Sequence, residues 1–184
     1  QGIYFEALVE RAFRDLGLTI VEVTPGSPNS PSFDLMVGNS RLSVKSETGR
    51  GTKEHFITIT KLCTTEREPW SPEALISRVL EHLSRYERML MLRAVWQSGQ
   101  IVYQLVEIPL ALLRRVGVAE LATVSRHPAA GRTRQSLGAD VSDDQGATFR
   151  VFFDATDGKC SIRSLRVTRC RMLLLWEQPI PIHT

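Results

Sequence analysis

At 184 residues the chain is long enough for one domain with its own hydrophobic core and short for two. Its 42% hydrophobic and 23% charged content is that of a globular protein, and no run approaches the roughly 20 apolar residues a membrane-spanning helix needs. A net charge of +3 permits a nucleic-acid partner without demanding one, and three cysteines with no C-x-x-C spacing fit reduced thiols rather than a metal site. No signal peptide is visible, so the expected location is the cytoplasm.

Residues 2–16 predict an amphipathic helix: Phe5, Leu8, Val9, Ala12, Phe13 and Leu16 fall on one stripe at helical spacing, and Gly17 ends it. Glu6 lies at the edge of that stripe, and Glu10 one turn on reads as an exposed helix carboxylate. Residues 18–23 predict a strand, and 24–31, with three prolines, a loop. A tight hairpin follows. Phe33 to Val37 is a short apolar run, Gly38-Asn39 suits a two-residue turn, and Leu42-Ser43-Val44-Lys45 returns. Strand alternation puts Ser43, Lys45 and Glu47 on one face, with Leu42 and Val44 on the other. Asp34 stands near the start of the opposite strand. An Asp and a Lys on paired strands, with Glu47 beside them, suit a divalent cation and a water oriented near a phosphate.

Residues 48–55 form a polar, flexible loop carrying Arg50 and Lys53, either a holder of phosphate backbone or an ordinary surface loop. The alternating FITITKL of 56–62 predicts a third strand of the hairpin sheet or an extension after it. Trp70-Ser71-Pro72-Glu73 is a helix start, and Leu75, Ile76, Val79, Leu80, Leu83 and Tyr86 carry an inward face to about residue 88. Strands are expected at 89–96 and 101–108, then a short helix from Pro109 to about 116. Trp70, Trp96 and Trp176 are expected to pack against the core.

Phe33-Asp34 followed by Ser43-Val44-Lys45 resembles the PD-(D/E)XK nuclease superfamily, which includes many type II restriction endonucleases. The family pattern is an Asp on one strand, then an acid, any residue and a Lys on the next. Phe33 stands at the Pro position, and Ser43 stands where an acid is usual. The opening helix, with Glu6 directly after Phe5, also resembles the family, in which a Glu from this helix often reaches the metal. What the resemblance implies is an α/β fold with a restriction-endonuclease-like core, in the order helix, three-stranded meander, helix, strand. The implied activity is cleavage of duplex DNA with Mg²⁺, or Mn²⁺ as a substitute, by a homodimer with one site per chain. Asp34 would ligate the metal with the Val44 carbonyl and Glu6 or Glu47, and Lys45 would serve the attacking water or the charged phosphate. Ser43 would leave a ligand to be supplied by another carboxylate, Glu47 being nearest on its own face.

Beyond residue 110 there are eleven basic side chains against seven acidic, and ten of the eleven are Arg, suited to bidentate contact with phosphate or bases. Residues 125–144 read as a polar segment with Arg126, His127, Arg132 and Arg134. Residues 148–153 alternate as a strand, Asp157-Gly158 is a hairpin turn, 160–165 returns, and 167–176 continues the sheet. An added C-terminal β-hairpin region of this kind would read DNA in a restriction enzyme. The expected DNA contacts are Arg50, Lys53, Arg132, Arg134, Lys159, Arg163 and Arg166. The whole reads as one nuclease domain, 1–184, with a core at about 2–116 and an Arg-rich region at about 117–184. Three other readings stay open: a nuclease fold that binds nucleic acid without cutting it, a DNA-repair or junction-resolving nuclease, and an interaction module in which Asp34 and Lys45 form an ordinary ion pair. The four histidines share no spacing and predict no zinc site.

Overall fold

The computed structural model describes residues 11–12, 14–17, 20–21, 35–66, 69–124 and 134–179. In chain order the strands are β1 (Ile20–Val21), β2 (Leu35–Val37), β3 (Ser40–Glu47), β4 (Phe56–Thr64), β5 (Arg88–Gln97), β6 (Gln100–Ile108), β7 (Ala122–Thr123), β8 (Leu137–Asp143), β9 (Gly146–Asp154), β10 (Lys159–Arg166) and β11 (Arg171–Pro179). Helix α1 (Pro72–Ser84) lies between β4 and β5, and the short α2 (Leu110–Leu113) runs into a 3₁₀ turn at Arg114–Val118. The architecture is mixed α/β, mostly strand. The described residues fall into two compact units, one drawn from Gln1–His55, Arg85–Leu110 and Val167–Thr184, the other from Phe56–Ser84 and Ala111–Arg166.

The first unit holds a six-stranded sheet in the order β1-β2-β3-β5-β6-β11. Gly38 takes φ +58° at the first turn position between β2 and β3, which a two-residue hairpin of the II′ kind requires. β1, β2 and β3 form an antiparallel meander, and β5 then pairs parallel to β3, from Leu42 against Arg88 to Glu47 against Arg93. Meander, helix and parallel strand follow one another in the expected chain order, but β4 intervenes before the helix, and both β4 and the helix belong to the second unit. Leu35, Leu42, Val44 and Leu90 form a buried cluster on one face, with Val37, Leu92, Leu105 and Leu173 packed against it. Alternation turns Met89, Met91, Val106 and Ile108 the other way, and all four are buried as well. Burial on both faces is why β5 reads as a continuous apolar run.

The second unit holds a five-stranded sheet in the order β4-β10-β9-β8-β7. Ser71 starts α1 as expected: its side-chain oxygen accepts from the Ala74 N–H at 3.3 Å and its carbonyl from the Leu75 N–H at 3.0 Å. Leu75, Val79 and Leu83 make the buried stripe. In the first unit, the helical residues 11–12 and 14–15 end as expected at Gly17, which has φ +74° and whose N–H donates to the Arg14 carbonyl at 2.9 Å.

Several expectations need correction. β4 is not a third strand of the hairpin sheet; it pairs with β10 in the second unit. Nor does residue 167 onward continue the β9–β10 sheet, because β11 leaves it to pair antiparallel with β6. α1 stops at Ser84 rather than 88, since Arg88 is already in the β3–β5 ladder. Part of the polar segment 125–144 is the strand β8, whose Gly, Asp and Ser content hid an alternation that pairing with β9 enforces. The β9–β10 hairpin does turn at Asp157-Gly158, with Gly158 at φ +55°, but it is interior to the sheet, flanked by β4 and β8. Trp176 is 39% exposed rather than packed in a core.

Candidate functional site

The β3 strand carries the residues the sequence singled out. Ser43 is fully buried, while Lys45 and Glu47 are half-buried. The register sets Ser43 beside Met89, Lys45 beside Met91 and Glu47 beside Arg93. This face of β3 is therefore apolar at Ser43 and becomes ionic at Glu47, where the strand ends.

Arg93 organises that end. It is 0% exposed, in the middle of an otherwise apolar strand. Its Nε donates to Glu47 Oε2 at 3.0 Å, and its two terminal nitrogens donate to the Gln104 side-chain oxygen at 2.5 Å, the Lys53 carbonyl at 2.5 Å and the Glu54 carbonyl at 3.3 Å. A buried guanidinium needs that much compensation, because desolvating an unpaired charge costs several kcal/mol. The arrangement also pins the segment after β3. Thr52 Oγ1 donates to the Gly49 carbonyl at 2.7 Å, Trp96 Nε1 donates to the Thr48 carbonyl at 3.3 Å, and the Arg50 guanidinium lies 5.5 Å from the Trp96 ring centroid. The loop 48–55, expected to be flexible, is tied to Arg93 and Trp96 at four points and braced once within itself. Arg93, Gln104 and Trp96 were not among the expected site residues. An Arg inside RMLMLRAVWQ was the one signal that could have found the first of them.

Asp34, Glu6 and Arg132 lie outside the described residues. Among the described residues no three His, Cys, Asp or Glu side chains converge on a point. Of the expected ligands, Glu47 has one oxygen committed to Arg93, and the Val44 side chain belongs to the apolar cluster. The described donors do not make a metal site by themselves, and a site here needs carboxylates from Asp34 or Glu6.

The expected DNA-contacting residues divide between the units. Arg50 and Lys53 are exposed in the first. In the second, the Arg134 guanidinium lies 5.6 Å from the Trp70 ring centroid, at a cavity of about 580 Å³ bordered by Trp70, Pro72, Thr123 and Leu137. Arg163 stacks 3.9 Å over Phe152. Ser164 has φ +55°, and the β4–β10 register slips between Ile162 and Leu165, so Arg163 and Ser164 are both exposed. Arg166 borders a cavity of about 220 Å³ with Arg150, Asp140 and Ser164. Lys159 Nζ is 2.5 Å from Asp157 Oδ2, within its own turn, which makes it the least available of the described members of the set.

Other ionic groups hold the sheet of the first unit. Arg41 hydrogen-bonds Glu87, raising its own pKa and lowering that of the carboxyl. The Glu107 carboxyl is likewise lowered, chiefly by hydrogen bonds from Arg88 at 2.7 and 3.0 Å, with Arg171 adding charge from 3.8 Å. Burial pushes the Cys170 thiol up to about 11, Arg93 pulling weakly the other way. Cys160 and Cys63 face each other across the β4–β10 ladder, and burial pushes Cys160 well above the ordinary thiol range.

No protein-family model matches the chain, and no solved structure does. One curated relative matches almost end to end, the type II restriction enzyme SmaI of Serratia marcescens, with 27% identity over 180 residues that cover 96% of this chain and 72% of the relative. The chain is thus similar, over nearly its full length, to a type II restriction enzyme.

Proposed function

We propose that this chain is a Mg²⁺-dependent, site-specific deoxyribonuclease of the PD-(D/E)XK kind, working on duplex DNA as a cytoplasmic homodimer. The observation that carries the reading is the near full-length similarity to a type II restriction enzyme. The meander β1-β2-β3 followed by parallel β5, with Lys45 on β3, supports it. Asp34, which directly precedes β2 in sequence, would hold the metal together with the Val44 carbonyl and with Glu6 or Glu47. The metal, when bound, polarises the scissile phosphate. Lys45 orients the attacking water and stabilises charge on the phosphorus oxygens. Arg93 fixes one oxygen of the Glu47 carboxylate at the end of β3, and the other would serve the metal. Water attacks phosphorus in line, the bond to the 3′ oxygen breaks, and a 5′-phosphate remains.

A second reading, a DNA-binding protein without cleavage, is favoured by two observations: Ser43 is buried at the acid position, and Glu47 is engaged by Arg93. Incubation of a sequenced plasmid with Mg²⁺, using wild type and Lys45→Ala, separates the two. The nuclease reading expects fixed cut sites for wild type and a loss of about 10²–10³-fold or more in rate for the variant, with binding kept. Binding without cutting by wild type supports the second reading. Absence of any salt-sensitive DNA binding removes both.

A further inference from the structure

β11 is the outermost strand of the six-stranded sheet, and among the described residues its outer edge pairs with no strand. It is also the most exposed apolar segment of the described chain: Met172 is 40% exposed, Leu174 53%, Leu175 51% and Trp176 39%. A nine-residue edge with open N–H and C=O groups is a template for another strand, and natural sheets usually blunt such an edge with charge. Here charge stands only at Arg171 and Glu177, which cancel, so the strand offers nothing to a phosphate backbone. Both its hydrogen-bonding edge and its side chains call for an extended apolar segment.

The faces of β11 decide which one. Leu174 and Trp176 stand opposite Leu105 and Tyr103 of β6, and Trp176 stacks on Tyr103 with ring centroids 4.9 Å apart. Leu175 and Glu177 point to the other face, opposite Gln104 and Val102. Leu173 is the extra residue of a bulge and packs against the Leu35–Leu42–Val44–Leu90 cluster. An antiparallel copy of the strand, related by a two-fold axis through Leu175, matches face to face. Leu175 meets Leu175 of the second copy, Leu174 meets its Trp176, and Met172 and Arg171 at one end meet Glu177 and Gln178 at the other. The apolar centre is covered and the polar residues fall at both rims, as an isologous interface requires. Pairing would cover the nine-residue strand edge and the flanks of four apolar side chains that are each 39–53% exposed.

We infer that a second copy of this chain docks on β11, joining two six-stranded sheets into one continuous sheet across a two-fold axis at Leu175. The inference deepens the homodimer of the proposed function and rests on that reading only for the need for two cutting sites. Its test is molar mass in solution, measured without DNA or metal by light scattering or sedimentation at tens of micromolar chain. A protein that never cuts DNA can therefore pass, and one that cuts as a monomer fails. Wild type is expected at twice the chain mass. Leu175→Glu and Leu175→Lys, each at a half-exposed position, set like charges on the axis and are expected to be folded monomers by circular dichroism, with dimer affinity weakened at least a hundredfold. Mixing the two variants sets Glu against Lys and is expected to restore the double mass. A monomeric wild type, variants that remain dimeric, or monomeric variants that fail to pair on mixing would each overturn the inference.

Discussion

Replacing Arg93 with methionine keeps the length and apolar stem of the side chain but removes a guanidinium that is 0% exposed and hydrogen-bonds Glu47, Gln104 and the Lys53 and Glu54 carbonyls. Loss of one member of a buried ion pair costs about 3–5 kcal/mol, chiefly through the charge left behind. Glu47 is 13% exposed, so water reaches its carboxylate once Arg93 has gone and limits the penalty. Lys53 and Glu54 are exposed residues whose carbonyls can also rehydrate. Gln104 is 7% exposed, and its side-chain oxygen would be left without this donor at roughly 1–3 kcal/mol. Together these place the loss near 3 kcal/mol rather than at the upper end. Urea unfolding reads it as a lower midpoint at an unchanged slope. Arg93→Lys is expected to recover only part of the loss, because one ammonium cannot serve a carboxylate, an amide and two carbonyls from a single position. The loop 48–55 should become protease-sensitive in the methionine variant before the rest of the unit does. A change below about 1 kcal/mol for Arg93→Met, against that range for buried pairs, would refute the view that this residue holds the end of β3 and its loop.

Three further outcomes are expected. Arg88 lowers the Glu107 carboxyl below its ordinary value, so its stabilisation is complete above the unfolded value of about 4.3 and is lost as pH falls through the lower folded value; Glu107→Gln should flatten the acid limb of a stability–pH curve and leave neutral pH changed least in slope. Cys170, with its thiol pushed up to about 11, should stay protonated at pH 8 and react slowly with a thiol reagent despite its partial exposure, its rate still rising as pH is taken toward that value. Under the DNA-binding proposal, Arg166→Ala should weaken binding evenly across sequences and reduce the slope of log affinity against log salt by about 1; a sequence-selective loss would show that the side chain reads bases instead.

Short-range chemistry was legible in the chain. The Gly38-Asn39 and Asp157-Gly158 turns, the Ser71 cap and the apolar alternation of β5 and β6 each act within a few residues, and all lie where the sequence put them. Lys45, Ser43 and Glu47 do share a strand face, as alternation demands. Sheet membership was another matter. Nothing in FITITKL says whether its partner is β3 or β10, and nothing in β11 distinguishes β9–β10 from β6, because apolar alternation specifies a face and not a neighbour. The Arg93 cluster was equally hidden, since it joins residues that stand 46 positions apart and become adjacent only through parallel pairing. The sequence by itself thus determined where strands and turns lie and which side chains could do chemistry. Which strands meet, and hence which charge Glu47 answers to, was decided by long-range burial in the folded sheet, where every buried polar group must find a partner that local sequence does not name.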